Sequence, residues 1–490
     1  MRGPGAFFPA WLRAVGAAAF APAVAAVLAL LSAAVPARAL GPHEVALLVN
    51  EAAPGSAELA EAWAELRGVP AANVVRLSIP PAANGAPPVA ITKEDFVARV
   101  WEPARAQLAA AGVAPQILAW VYSSGFPARV ADSPATLSGP GTNDLSIAGA
   151  TFLRARWPDD PERDVRFGGY ASPLFAGPSE DGAPADPPRA LDQSRNALLD
   201  AMPLPAAMLA WTGPRGQTPE EALAALGRSA AADATFPGGA VFFRLRPGDP
   251  RSDAREWEIA DALAALLLFG VDAELSTNAP PGGVGPLAGY LDGSVAVDPL
   301  PALAPGAFAD HFTSFACAFD RPTQMKATEW LRAGAAFTAG TVAEPYAMWA
   351  KFPSAHLFVR RREGLCALEA LCASVRCPLQ LLPLGDPLSA PWTPRLEPAI
   401  EGLPPAGSAV AAPLVLRAVP PAGAPVPGVL FDWFVDGRPA GRGATFSWNV
   451  PACPPGTHEV RLVARVPQPS GVRLQGFVRA NVEVAGDLLP

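Results

Sequence analysis

The stretch "EVALLVNEAAPGSAELAEAWAELRGVPAANVVRLSI", Glu44 to Ile79, decides the fold of this 490-residue chain. "EVALLVN" is a short uninterrupted apolar run, as expected of a strand buried on both faces. Ser56 can cap the helix that follows, in which Leu59, Ala62, Trp63 and Leu66 fall at helical spacing. Gly68 ends that helix and Pro70 prevents its continuation. "NVVRLSI", Asn73 to Ile79, is then a second strand, and a strand–helix–strand unit of this length places its strands in parallel. A nucleotide site would put G-x-G-x-x-G or a phosphate loop at the first turn, which here reads "NEAAPGS". No cofactor is expected.

The rhythm continues outward. A helix is expected over Lys93 to Ala111, then a strand Ile117 to Tyr122 running into Ser123, Ser124 and Gly125. From 142 to 237 the pattern weakens into proline-rich text such as "GPSEDGAPADPP", which reads as a surface insertion. Order returns with "GAVFFRLRPG", an amphipathic stretch Ala254 to Phe269, and the strands "VDAEL" and "PLAGYL". Then come "ADHFTSFACAFD" (Ala309 to Asp320), a helix over Lys326 to Ala333, the strand Ala336 to Val342, a helix around Glu363 to Val375, and "CPLQLLPLGDPL". The expectation is an α/β domain over 40–395, with one doubly wound, mostly parallel sheet in three layers. Beyond about residue 400, "GVLFDWFVDGRP", "TFSWNV" and "PPGTHEVRLVARV" alternate bulky apolar and polar residues around an Asp436-Gly437 turn. A small immunoglobulin-like β-sandwich over 400–490 is expected, with Trp433 in its core.

Arg2, Arg13, an apolar run through Leu31 and the closing "ARA" at Ala37 to Ala39 form a signal peptide over 1–39, cleaved after Ala39. The alternative is a retained N-terminal anchor, since Ala14 to Val35 approaches the roughly 20 residues that span a bilayer. An exported (periplasmic or secreted) protein, with no membrane attachment after cleavage, is expected. A net charge of −8 without a basic stripe excludes nucleic acid, and 34 arginines against Lys93, Lys326 and Lys351 fit a GC-rich coding sequence.

Four histidines and five cysteines limit the chemistry. His311 and Cys317 stand six residues apart; on a continuous strand "HFTSFAC" they are about 20 Å apart, far beyond nucleophile–base contact. His311 is therefore expected to begin a core strand and Cys317 to end it, with the thiol as the catalytic candidate that remains. Asn50, Ser123 and Ser124 end strands and are candidates for a ligand crevice at the carboxyl ends of the sheet; Glu344 in "AEPY" and Asp386 in "GDP" also follow strands and could serve as acid and base or hold a divalent cation. Each has a plain structural alternative, a Ser-Gly turn, a turn and a helix cap respectively. His356 reads as structural, and His43 and His458 as peripheral. Cys372 and Cys377 are close enough to bridge, whereas a zinc site lacks C-x-x-C, so no metal is expected.

The block "PGAFADHFTSFACAFD…TEWLRAGAAFTAGTVAEPYAMWAKFPSAHLFVR…LQLLPLGDPL", with "VALLVNEAAPGSAELAEAWAELRGVPAANVVRL", resembles an uncharacterised exported bacterial family that co-occurs with exosortase and PEP-CTERM protein sorting. The resemblance covers most of Val45 to Pro394. It implies a role accessory to surface-protein sorting or extracellular matrix export, with exported or surface-sorted proteins as partners. In architecture the chain is also similar to gingipain- and caspase-like cysteine peptidases, through its parallel sheet, late Gly385-Asp386-Pro387 and following immunoglobulin-like domain. That similarity implies a nucleophile at Cys317, but "AGYLDGS", Ala288 to Ser294, lacks the His-Gly such enzymes carry there. The first family usually has glycines where Ala316 and Cys317 stand. A hydrolase with a degenerate or relocated base is the alternative to a binding protein.

Overall fold

The computed structural model describes residues 40–82, 85–178, 185, 202–280, 285–424, 428–467 and 473–486. The signal-peptide reading and most of "GPSEDGAPADPP" lie outside them.

The opening unit forms as its pattern dictates. β1 (Val45–Asn50) is buried along its whole length. Helix α1 (Ser56–Arg67) buries Leu59, Ala60 and Trp63, and stops at Gly68 in the left-handed region at φ 71°, where a side chain would be strained. The residue at its N-cap is Gly55, so Ser56 is the first helical residue and not the cap. β2 (Val74–Leu77) lies parallel to β1 on one side, and β3 (Ala119–Tyr122) parallel to it on the other.

The sheet has ten strands. It continues through β4 (Ala206–Met208), β5 (Val241–Arg244), β6 (Ala273–Ser276), β7 (Leu287–Asp292), β8 (Leu303–His311), β9 (Phe337–Thr341) and β10 (Leu381–Gly385). Their order is β2-β1-β3-β4-β10-β9-β8-β7-β5-β6. β10 is antiparallel to β9 over five pairs, which breaks an otherwise parallel arrangement. The helices that connect and cover the sheet include α2 (Pro219–Ala232), α3 (Pro250–Leu268), α4 (His356–Arg362) and α5 (Ala367–Ser374). The whole is an α/β unit built on a large, mostly parallel sheet.

Several expectations are corrected. The segment 142–237 is not all surface insertion: it supplies β4 to the middle of the sheet, the fully buried helix Ile147–Phe152, and α2. β8 starts at Leu303 and ends at His311, so His311 closes a strand, and Phe312 to Cys317 leave the sheet. The helix expected around Glu363 to Val375 is present as α5 but starts only at Ala367, because Gly364 at φ 103° parts it from α4, which the sequence reading leaves out. The helix expected from Lys93 to Ala111 does form, running unbroken from Lys93 to Ala110 with one wider, π-type turn over Val97–Trp101 just before Pro103, which has no N–H to donate and crowds the preceding turn.

From Ala399 the chain forms two small, mainly antiparallel sheets around a core containing Trp433, Phe446, Trp448 and Leu462. This unit is docked on the first. Arg461 Nη1 donates to Gly68 O at 2.7 Å, Gln116 Nε2 to Gly437 O at 2.8 Å and Gln475 Nε2 to Glu44 Oε2 at 2.7 Å. His43 sits in that junction, its ring 4.9 Å from Phe434, and is buried, not peripheral; His458 is likewise held, between Asp436 and Pro454 O. These contacts gather around the amino-terminal ends of β1 and β3.

Candidate functional site

At the opposite, carboxyl ends of β1 and β3 the chain turns away to either side of β1, the place where open α/β sheets leave a crevice. Asn50 ends β1 and is buried. Its Nδ2 donates to Gly125 O at 2.7 Å and Ile79 O at 3.2 Å, while its Oδ1 accepts from Ile79 N at 2.8 Å and Ala52 N at 3.2 Å. The amide thus ties together the loops after β1, β2 and β3. Asn50 N donates to Ser56 Oγ, and Ser123 Oγ donates to Ser56 O at 2.6 Å. Gly125 is at φ 82°, and a Cβ there would lie 2.2 Å from Ala53 Cβ, so only glycine lets these loops meet.

A cavity of about 300 Å³ opens over this brace, lined by Asn50, Ala52, Pro54, Ile79, Pro87, Pro88, Gly125 and Thr212. Its walls are mainly apolar and rich in proline, with the polar atoms near Asn50 already bonded to the fold. Ser124 is buried with no partner for its Oγ among the described residues. Of the candidates, Asn50 lines this cavity and Ser123 is joined to Asn50 through Ser56, while neither Ser123 nor Ser124 borders the cavity itself.

The others do not join them. Cys317 lies in a turn, fully buried, its N–H donating to Thr341 O at 3.0 Å and its Sγ to Leu382 O at 3.8 Å. Burial pushes its thiol well above the ordinary range; the nearby Lys326 pulls it down by less. His311 faces elsewhere: its Nδ1 accepts from Trp330 Nε1 at 3.0 Å and its Nε2 faces Met325 O at 3.2 Å. Both ring nitrogens are engaged, and burial lowers its pKa. Lys326, which the sequence does not single out, caps the turn, donating to Phe315 O and Thr323 O; burial brings its ammonium down to about 8.

Glu344 is half-buried and accepts from Ser314 Oγ at 2.9 Å and Tyr346 N at 3.0 Å, closing the loop after β9 beside a cavity of about 240 Å³ that also borders Phe312 and Thr313. Asp386 belongs to another place. Its N–H donates to Ala336 O at the start of β9, about 16 Å along the strand from Thr341, which holds Cys317. Its carboxylate accepts from Trp63 Nε1 and Leu388 N and forms a buried ion pair with Arg67, which also bridges to Asp233. Glu344 and Asp386 therefore form no acid–base pair, with each other or with Asn50 and Ser123. The reason is β10: running antiparallel to β9, it delivers its carboxyl end to the start of its neighbour.

All five cysteines are free, Cys372 and Cys377 included, and among the described residues no group of three or more His, Cys, Asp or Glu side chains is placed to hold a metal ion. His356 is structural, its Nε2 2.7 Å from Asp261 Oδ2. A larger cavity of about 510 Å³ lies at the docked junction, bordered by Leu40, Arg67, Asp233, Cys366, Gln475 and Arg479. Pattern reading passes over it because it joins residues more than 400 positions apart.

No family model matches the chain, and no curated protein matches it. Among solved structures it is similar to fibronectin(III)-like modules of Clostridium thermocellum CbhA, at 15% identity and a TM-score of 0.15. That match takes in 24% of this chain and spans 57% of the other, so the chain covers little more than half of the relative's length. No helix among the described residues is long and apolar enough to cross a membrane.

Proposed function

We propose that this chain is an exported binding protein, matured by cleavage after Ala39, in which a doubly wound, three-layer α/β unit presents its carboxyl-end crevice to a partner and an immunoglobulin-like unit is fixed behind it. The process it serves is surface-protein sorting or matrix export, with exported or surface-sorted proteins as partners. The crevice carries the reading: Asn50 and Gly125 lock three loops into a preformed, proline-lined cavity of about 300 Å³, and preformed apolar cavities with few polar groups are the usual form of a binding site. The cysteine-hydrolase alternative lacks comparable support, since Cys317 is sealed from solvent and His311 is committed to Trp330 and Met325.

A gene-deletion strain tests this. Loss of a sorted surface protein or of matrix should be rescued by the wild type and by Cys317→Ser, and not by Ala52→Trp, which fills the crevice. A folded Cys317→Ser protein that fails to rescue would restore thiol catalysis. Full rescue by Ala52→Trp would remove the crevice from the function.

A further inference from the structure

Leu40 is held through its backbone nitrogen by a buried carboxyl group. Its nitrogen donates to Glu369 Oε2 at 2.8 Å, and both residues are 6% exposed. Glu369 is the third residue of α5 and also accepts from the N–H of Cys366 at 3.4 Å. One residue on, Gly41 N donates to Glu44 Oε2 at 2.9 Å, and Glu44 is fully buried. Two successive backbone nitrogens thus meet two buried carboxylates. Gln475 satisfies part of Glu44, and His43 Nε2 lies 3.7 Å from its other oxygen. Among the described residues no lysine or arginine forms an ion pair with Glu369. Burial, reinforced by the charge of Glu44, pushes its carboxyl up to about 8. With an ordinary amide at Leu40, this first-turn carboxyl receives two backbone N–H groups on Oε2 and no ion pair among the described residues.

We propose that cleavage after Ala39 makes Leu40 the first residue and that its α-ammonium docks on Glu369, so that the folded protein anchors its own new N-terminus. The position of the cut rests on the export reading above. In the cut, a signal peptidase adds water across the Ala39–Leu40 bond: Ala39 leaves with a carboxylate, and Leu40 keeps the nitrogen, which takes up protons to become an ammonium. The atom that already bonds Glu369 then carries a full positive charge and three donors, and charge-assisted bonds of this kind are shorter and stronger than amide ones. The cavity of about 510 Å³ beside Leu40 and Cys366 leaves room to hydrate the remaining donors. Because Leu40 is buried once α5 is in place, the cut precedes docking, as it must for a peptidase acting on a chain still crossing the membrane. Leader removal thereby completes an ion pair at the junction of both units, where Gln475 of the second touches Glu44 of the first.

The test has two independent arms. The protein is produced from its own leader and the first residue of the exported product is sequenced; Leu40 is expected, and any other residue overturns the placement of the cut. Separately, a cleavable fusion is used to prepare chains that begin at Leu40 or at Ala39. The Leu40 chain should melt a few degrees higher, and its α-amine should resist an acylating reagent at neutral pH while the Ala39 amine reacts. Glu369→Gln should bring the two melting temperatures together and expose the Leu40 amine. Equal melting of the two wild-type chains, or rapid acylation of the Leu40 amine, overturns the docking whatever the sequencing shows, and that comparison stands even if Glu369→Gln does not fold.

Discussion

At the scale of single residues, the groups that look reactive in the sequence are mostly those the fold has used up. Asp386 is the clearest case, since a catalytic carboxylate and a buried structural one make opposite predictions. Asp386→Ala leaves Arg67 buried with Asp233 as its remaining carboxylate partner and removes the acceptor for Trp63 Nε1. Breaking a buried pair from one side costs about 3–5 kcal/mol, so urea unfolding should show an unfolding free energy lowered by that amount, with the midpoint falling accordingly. A variant of unchanged stability would return Asp386 to the list of functional candidates. Cys317 makes the complementary case. A Cβ added at Gly340 would lie 2.6 Å from Ala316 Cβ and 2.8 Å from Cys317 Sγ, which shows how closely the strand covers the thiol. Gly340→Ala should therefore cost about 1–3 kcal/mol through overpacking. Alkylation of Cys317 at pH 8 should require denaturant in the wild type; fast labelling of the native protein would contradict the burial.

At the scale of elements, what could be read from the sequence depended on whether burial leaves a one-dimensional trace. β1, α1 and β2 are legible because a strand covered on both faces must be continuously apolar and a helix packed on one side must repeat every three to four residues. β4 (Ala206–Met208) and β8 (Leu303–His311) are not, because "AAM" and "LAPGAFADH" are rich in small residues with weak strand preference, and their neighbours decide the matter. "HFTSF" has the β-branched and aromatic content of a strand, yet Thr313 Oγ1 and Phe315 N both bond Gln324 Oε1, which pulls it into a turn. Asn50 and Ser123 are marked in the sequence as strand ends; the place of Asp386 is not, because strand direction leaves no such mark.

Helix α3 shows the same limit with a measurable consequence. Its amphipathic pattern was evident, but its buried face includes Arg255 and Glu258. Arg255 Nη2 lies 2.5 Å from Asp310 Oδ2, and its guanidinium lies over Phe312 and Phe352 at 5.0 and 5.4 Å. Glu258 accepts from Ala355 N at 3.0 Å. Burial raises its carboxyl to about 8, against the opposing pull of Arg255. Between about pH 4.5 and 8 the folded state then holds a proton at Glu258 that the unfolded chain has released, so stability falls as pH rises through that window. Glu258→Gln keeps the acceptor for Ala355 and should flatten this contribution, seen as a smaller difference between unfolding free energies at pH 5 and pH 8. An unchanged difference would mean that other groups set the slope.

At the scale of the whole molecule, the question is whether the two units behave as one. Their hydrogen bonds are specific and gather at the amino-terminal ends of β1 and β3, on backbone carbonyls of both units and on the Glu44 carboxylate. Gly68 ends α1 with φ 71°, its carbonyl receives Arg461 Nη1, and the ring of Phe477 sits where its Cβ would be, with Cζ 2.7 Å away. Arg461 in turn lies 4.8 Å from that ring and is itself buried. Arg438 Nε donates to Ala111 O and Gln116 Nε2 to Gly437 O, so each unit caps the other's loops. An interface built this way lends each unit the stability of its neighbour: losing one exposes carbonyls and aromatic surface on the other. Calorimetry of the intact chain should accordingly show one cooperative transition. Arg461→Ala removes the cation over Phe477 and leaves Gly68 O without its donor, a loss of about 1–3 kcal/mol for the unsatisfied carbonyl alone. The expected result is an earlier transition that begins to separate into two. Two transitions already present in the wild type would mean that the junction contributes little, and that the second unit is free to act apart from the crevice on the far edge of the sheet.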